Sequence, residues 1–129
     1  MLTETAEVIR LEGVAKRFGG FVALDHIDLD IQRGEFLTLL GESGSGKTTC
    51  LNILGLLDTP TEGEITLDGR QVKGLSDRER TTFRKQTIGF VFQHYYLIPT
   101  LTATENVTVP RTFDNDPGAP ERARDLLDR

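Results

Sequence analysis

The stretch Gly41-Glu42-Ser43-Gly44-Ser45-Gly46-Lys47-Thr48 constrains this chain more than any other. Its glycines let the backbone turn tightly, so that successive N–H groups point inward at an oxyanion. With Lys and Thr closing it, the stretch fits G-x-x-x-x-G-K-[ST], a phosphate-binding loop. A helix is expected to start within the motif, so that its positive end faces the same anion. Lys47 adds a full charge for the outer phosphates, and Thr48 offers a hydroxyl to Mg²⁺. The flanks support this reading. Glu35-Phe36-Leu37-Thr38-Leu39-Leu40 is a short apolar run that predicts a buried parallel strand. Cys50, Ile53, Leu54 and Leu57 fall at i, i+3, i+4, i+7 and predict a helical stripe. A glycine-rich turn without a ligand has no need of that strand–loop–helix context.

At 129 residues the chain is one domain at most, with a modest core. A net charge of −5 argues against a general nucleic-acid binder and against attachment to acidic lipids. The single cysteine, Cys50, lies on the helical stripe and reads as a packed thiol. One cysteine builds no disulfide framework, which suits a reducing compartment. The acidic, polar start of the chain is not a signal peptide, and no stretch approaches a membrane span.

Along the chain, residues 1–6 read as a frayed tail. Val8–Leu11, extended to Phe18 beyond Gly13, predicts a strand that Gly19-Gly20 turns into a second one at Phe21–Leu24. Ile27–Ile31 alternates strictly, the mark of a sheet with one wet face. Gln32–Gly34 connects to the strand before the loop. Glu64–Leu67 predicts another alternating strand, closed by an Asp68-Gly69 hairpin turn. Ser76-Asp77-Arg78-Glu79 is a capping box opening a charged helix to about Gln86, and Thr102-Ala103-Thr104-Glu105 opens a short one that Pro110 stops. Ile88–Phe92 predicts a buried strand ending at Gln93. Asp114–Ala119 reads as a polar linker. Pro120 suits the first turn of a last helix, Glu121–Arg129, with an apolar stripe of Ala123, Leu126 and Leu127.

These residues together resemble the ATP-binding subunit of ABC transporters over essentially the whole chain, and its macrolide-export and lipoprotein-release branch most. The likeness is carried by the loop from Gly41 to Thr49 and by Leu51 to Asp58. It continues through Gly63 to Gly69, Ile88 to Pro99, and Glu105-Asn106-Val107. It implies an α/β P-loop NTPase fold of the ABC ATPase type, with an antiparallel β subdomain beside an incomplete RecA-like α/β core. It also implies ATP and Mg²⁺ as ligands. The phosphate cradle is matched by Gly41, Glu42, Ser43, Gly44, Ser45, Gly46, Lys47, Thr48 and Thr49. Thr48 matches a magnesium ligand. Gln93 matches a glutamine that contacts the metal or its water and links the site to a membrane permease. Lys47 and Gln93 are thus the expected catalytic positions. Phe18 matches an aromatic that stacks on adenine; the family more often has Tyr there, but stacking needs only a ring face. The implied partners are the permease and a second nucleotide-binding subunit, with no nucleic acid. The implied location is cytoplasmic, on the inner membrane face through that permease.

Competing readings stay beside these. Phe18 also suits a core aromatic, and Gln93 an ordinary strand end. His94 has no visible partner that would make it a base or ligand. Arg78, Arg80, Arg84 and Lys85 read as a solvated helix face. The cluster Tyr95-Tyr96-Leu97-Ile98 serves equally as core or as partner surface. A small-molecule kinase is disfavoured by Gln93 and by the antiparallel strands before the loop. A soluble factor acting on ribosomes or DNA is disfavoured by the acidic charge.

The family's pattern goes on to a Leu-Ser-Gly-Gly-Gln signature, an apolar strand ending in Asp-Glu and a switch histidine, none of which these residues contain. The expectation is therefore that residues 1–129 form the N-terminal portion of a nucleotide-binding domain, truncated before the signature and the acidic strand. Such a piece would bind nucleotide with little or no hydrolysis of its own.

Overall fold

The computed structural model describes residues 7–129, so the expected tail at 1–6 lies outside the described residues. The chain divides into two compact units, one ending at Phe90 and the other beginning at Val91.

The first unit is built on a four-stranded antiparallel sheet in the order β2-β1-β3-β4. Strand β1 (Glu7–Phe18) and strand β2 (Phe21–Gln32) form a long hairpin across Gly19-Gly20, with Phe18 paired to Phe21 at its tip. Strand β3 (Glu62–Leu67) pairs with the other edge of β1, and the short β4 (Arg70–Gln71) returns across the Asp68-Gly69 turn. Helix α1 (Lys47–Leu54) follows the glycine loop, and helix α2 (Asp77–Thr87) follows β4.

One face of the sheet and one face of α1 make the core. Leu11, Val14, Leu24, Ile65 and Leu67 come from the strands, Cys50, Ile53 and Leu54 from the helix, and Leu56 and Val72 from the turns beside them. The alternation in β2 thus does what its period implies, and the stripe on α1 is what the sheet covers. Burying each such side chain contributes about 1.5–3 kcal/mol, so this face fixes where α1 starts. Cys50 is a buried free thiol, and burial pushes its pKa up.

The stripe runs one residue too far at Leu57. Helix α1 ends at Leu54; the Gly55 N–H closes back on the Leu51 carbonyl, and Leu56 adopts a left-handed φ of 56°. That residue ends the helix and leaves Leu57 exposed.

Two expected core strands do not form. Neither the 35–42 stretch nor the 88–92 stretch joins a ladder among the described residues. Leu39 and Ile88 reach the core, while Phe36 and Leu40 stand 93% and 89% exposed and Val91 projects fully. A strand needs a ladder partner, and among the described residues neither stretch has one in the sheet.

The expected solvated face of α2 holds for Arg78 and Lys85, which are exposed, and only in part for the other two. Arg84 Nη1 donates to the Leu56 carbonyl oxygen at 2.9 Å, and Arg80 pairs with Asp77 and is largely covered. The capping box at Ser76 is present in both directions.

The second unit holds helix α3 (Ala103–Thr108), a 3₁₀ turn at Val109–Asp114, and helix α4 (Ala119–Leu127). Thr102 and Glu105 form the second capping box, and Pro110 falls where α3 gives way to the 3₁₀ turn. Pro120 sits in the first turn of α4 as expected. Of the α4 stripe, Ala123 is buried while Leu126 and Leu127 are exposed. No helix among the described residues is long and apolar enough to cross a membrane.

Candidate functional site

The glycine loop runs from Gly41 to Gly46, and α1 begins at Lys47, inside the motif. Gly46 is the residue before the helix. It takes a left-handed φ of 93° and brings no side chain to cap the first turn. The amides at the start of α1 are therefore left for an incoming anion, at the positive end of the helix. The helix itself is held by the first hydrogen bond, Cys50 N–H to the Gly46 carbonyl at 2.9 Å, and by the core face at Cys50, Ile53 and Leu54.

Lys47 folds back over the loop. Its ammonium donates to the carbonyl oxygens of Gly41 and of Glu42, the latter at 2.8 Å, and lies 3.4 Å from Ser45 Oγ. These are neutral acceptors on the loop rim, which a phosphate oxygen outbids as a charged acceptor. Ser45 N–H closes a turn on the Glu42 carbonyl at 3.1 Å, which keeps the loop compact.

A cleft of about 460 Å³ opens beside the loop. Glu42, Ser43, Gly44 and Gly46 to Thr49 line one side, and Phe21 and Ala23 of β2 the other. Thr48 and Thr49, two of the expected cradle residues, thus share this space with Lys47. Gly41 does not line this cleft, and a Cβ there would collide with Ser45 Oγ. Among the described residues lining the cleft, Glu42 is the only carboxylate. No group of three or more His, Cys, Asp or Glu among the described residues is arranged to hold a metal ion.

Phe18 sits at the end of β1, 52% exposed, so the core alternative for this ring is not realised. The Lys16 ammonium lies over the ring, 5.1 Å from its centroid. Phe21 was not singled out by the loop motif, yet it lines the cleft and is 63% exposed. Its signal was present: the residue directly after Gly19-Gly20 must face Phe18 across a two-residue turn.

Gln93 lies on an exposed bend in the second unit and is described with it. His94 stacks edge-on with Tyr96 at 6.0 Å, and Phe92 packs on the same tyrosine at 5.4 Å. Tyr95, Tyr96, Leu97 and Ile98 are all exposed, and none of them joins a buried core.

Known proteins share this arrangement. The family description "ABC transporter" matches residues 24–129. A macrolide export ATP-binding/permease protein, MacB, of Brucella abortus is 51% identical over 123 residues, covering 92% of this chain and 19% of that protein. The lipoprotein-releasing system ATP-binding protein LolD of Aquifex aeolicus is 47% identical over 124 residues, covering 95% of this chain and 55% of LolD. A solved dimeric ATP-binding cassette, MJ0796, in a post-hydrolysis state bound to ADP and Pi, superposes with a TM-score of 0.81 at 43% identity. That superposition covers 93% of this chain and 56% of the solved one. The chain therefore spans little more than half the length of LolD and of the solved cassette, and about a fifth of MacB.

Proposed function

The chain belongs to the ABC transporter family, and from that premise we propose that it is the N-terminal, nucleotide-holding portion of an ATP-binding cassette of the MacB and LolD kind. The observation that carries this reading is the cleft in which Glu42, Ser43, Gly44 and Gly46 to Thr49 face Phe21 and Ala23 beside the uncapped start of α1. Loop amides and the helix terminus take the phosphates of ATP, and Lys47 leaves its loop carbonyls for the outer ones. The Thr48 hydroxyl, a hard oxygen on the cleft wall, is fit to hold Mg²⁺, and the family resemblance alone gives Gln93 the role of a further oxygen donor. Mg²⁺ bound there would supply neutralisation of the phosphate charge. Phe18 stacks on adenine.

In the whole protein, MgATP binding and hydrolysis are coupled through Gln93 and the exposed 95–98 cluster to a membrane permease, for export or lipoprotein release. A second cassette completes the working dimer. The location that follows is the cytoplasmic face of the membrane.

For these 129 residues alone a second reading is favoured by one observation: Glu42 is the sole carboxylate among the described residues of the cleft. Phosphoryl transfer depends on positioning the attacking water as well as on charge. The chain by itself then binds MgATP with little or no turnover.

The test is MgATP binding and turnover by the purified chain, with Lys47→Ala as the control. Binding without turnover, lost in the variant, is the expected result. Unchanged affinity in Lys47→Ala sinks the phosphate-loop assignment. Turnover lost in the variant means a catalytic carboxylate reaches the site from elsewhere.

A further inference from the structure

Lys16 is the most heavily engaged cation near the tip of the β1–β2 hairpin, and no motif accounts for it. Its side chain is only 12% exposed. Its ammonium donates to Asp58 Oδ1 and to the Thr59 carbonyl oxygen, each at 2.8 Å. The same group stands 5.1 Å from the centroid of the Phe18 ring. Asp58 and Thr59 belong to the loop that leaves the C-terminal end of α1. That loop is stitched to β1 by further bonds. Thr61 N–H donates to the Ala15 carbonyl at 2.8 Å, Arg17 N–H donates to Thr61 Oγ1 at 3.0 Å, and Arg17 pairs with Glu62 at 3.0 Å.

We infer that Lys16 is a positioning residue of the nucleotide site, holding the Phe18 ring against the loop after α1 and so presenting its open face to the base. A covered ammonium over a ring is held there by the ring's quadrupole, and its two oxygen partners deny it other positions. Phe18, half exposed, would otherwise sample its rotamers freely in solvent. Helix α1 begins at the phosphate loop and ends at Leu54, and the Leu57 and Asp58 N–H groups donate back to the Asn52 carbonyl, which ties the loop that grips Lys16 to the helix. Helix and loop together thereby link the phosphate end of the proposed site to its base end. The inference rests on the proposed stacking of adenine on Phe18.

The experiment compares Lys16→Met, Lys16→Arg, Phe18→Ala and Lys16→Met/Phe18→Ala, with MgATP and inorganic triphosphate as ligands. Lys16→Met keeps the stem and removes the charge. It is expected to weaken MgATP roughly threefold to tenfold, the range of a cation on an aromatic face, and to leave triphosphate unchanged. Lys16→Arg restores most of the loss. In the Phe18→Ala background the Lys16 substitution has no further effect on MgATP. In the free protein, the aromatic proton resonances of Phe18 shift and sharpen in Lys16→Met, a readout that needs no ligand.

A Lys16→Met loss that is equal for both ligands, or that persists without Phe18, overturns the positioning role. So does an unchanged Phe18 spectrum. Phe18→Ala losing both ligands equally overturns the stacking itself. Selective loss in Phe18→Ala with a silent Lys16→Met overturns only the part assigned to Lys16. A wild-type chain that binds neither ligand overturns both.

Discussion

The backbone at Gly46 passes so close to strand β2 that a Cβ there would lie 2.6 Å from the carbonyl oxygen of Ala23 and 3.0 Å from Leu24 Cδ2. The glycine loop thus lies directly against the sheet at this point. Two costs follow for Gly46→Ala. A left-handed backbone with a Cβ costs about 1–2 kcal/mol, and forcing the two segments apart costs about 1–3 kcal/mol more. The variant should lose about 2–5 kcal/mol of stability by urea denaturation, and MgATP affinity with it. Gly44→Ala is the matched control. Its φ is also left-handed, at 81°, but nothing stands within 4 Å of its Cβ. It should lose only the backbone part, about 1–2 kcal/mol. Equal losses at the two positions would mean that the approach to Ala23 contributes nothing.

What could be read from the sequence and what could not divides by the range of the interaction. The helix start inside the glycine loop, both capping boxes and the Asp68-Gly69 turn are each specified within a few consecutive residues, and all form as read. The stripe carries no sign that α1 stops before Leu57, because Leu56 takes the left-handed φ that more often falls to glycine. The strands expected at 36–40 and 88–92 failed for another reason. Their apolar composition was read correctly, but a ladder is a property of a pair, and the partner cannot be seen in the strand's own residues. At the site, the cradle was legible as a motif. Phe21 and Lys16 were not, because each depends on register or on a loop some forty residues away.

In the second unit the side chain of Asn106 serves as a hub for the turn before α3. Its amide nitrogen lies 3.0–3.2 Å from the carbonyl oxygens of Ile98, Leu101 and Thr102, and its Oδ1 accepts from Ile98 N–H at 2.8 Å. Asn106→Ala removes all of these and leaves the Ile98 N–H to water. The expected cost is about 1–3 kcal/mol to the local fold. Hydrogen exchange at the Ile98 amide should speed up by roughly tenfold to a hundredfold, while amides of β1 and β3 keep their protection. Unchanged exchange at Ile98 would show that the turn is held without the side chain.

Acid should weaken the fold through four carboxylates held below their ordinary values. Burial alone would raise Asp58, but the Lys16 ammonium, the Thr59 N–H and the charge of Arg80 outweigh it. Glu79 and Glu105 are lowered by the amides of Ser76 and Thr102 in the two capping boxes. Asp116 is lowered by the Arg122 guanidinium. Each has a folded pKa below its ordinary value of 3.8 for Asp or 4.5 for Glu. The unfolded chain therefore binds more protons than the folded one in that range, and stability rises with pH there. The contribution is fully present above the ordinary values and is lost as pH falls through the folded ones. The denaturation midpoint should be flat from about pH 7 to about pH 5 on account of these groups, then fall as the pH drops below 4.5 and 3.8. Glu79→Gln and Glu105→Gln keep an acceptor for the capping amides but cannot titrate. In the double variant the fall should be shallower, and the urea midpoint measured across the acid range checks it. A slope identical to that of the parent chain would place the acid sensitivity elsewhere than in the capping boxes.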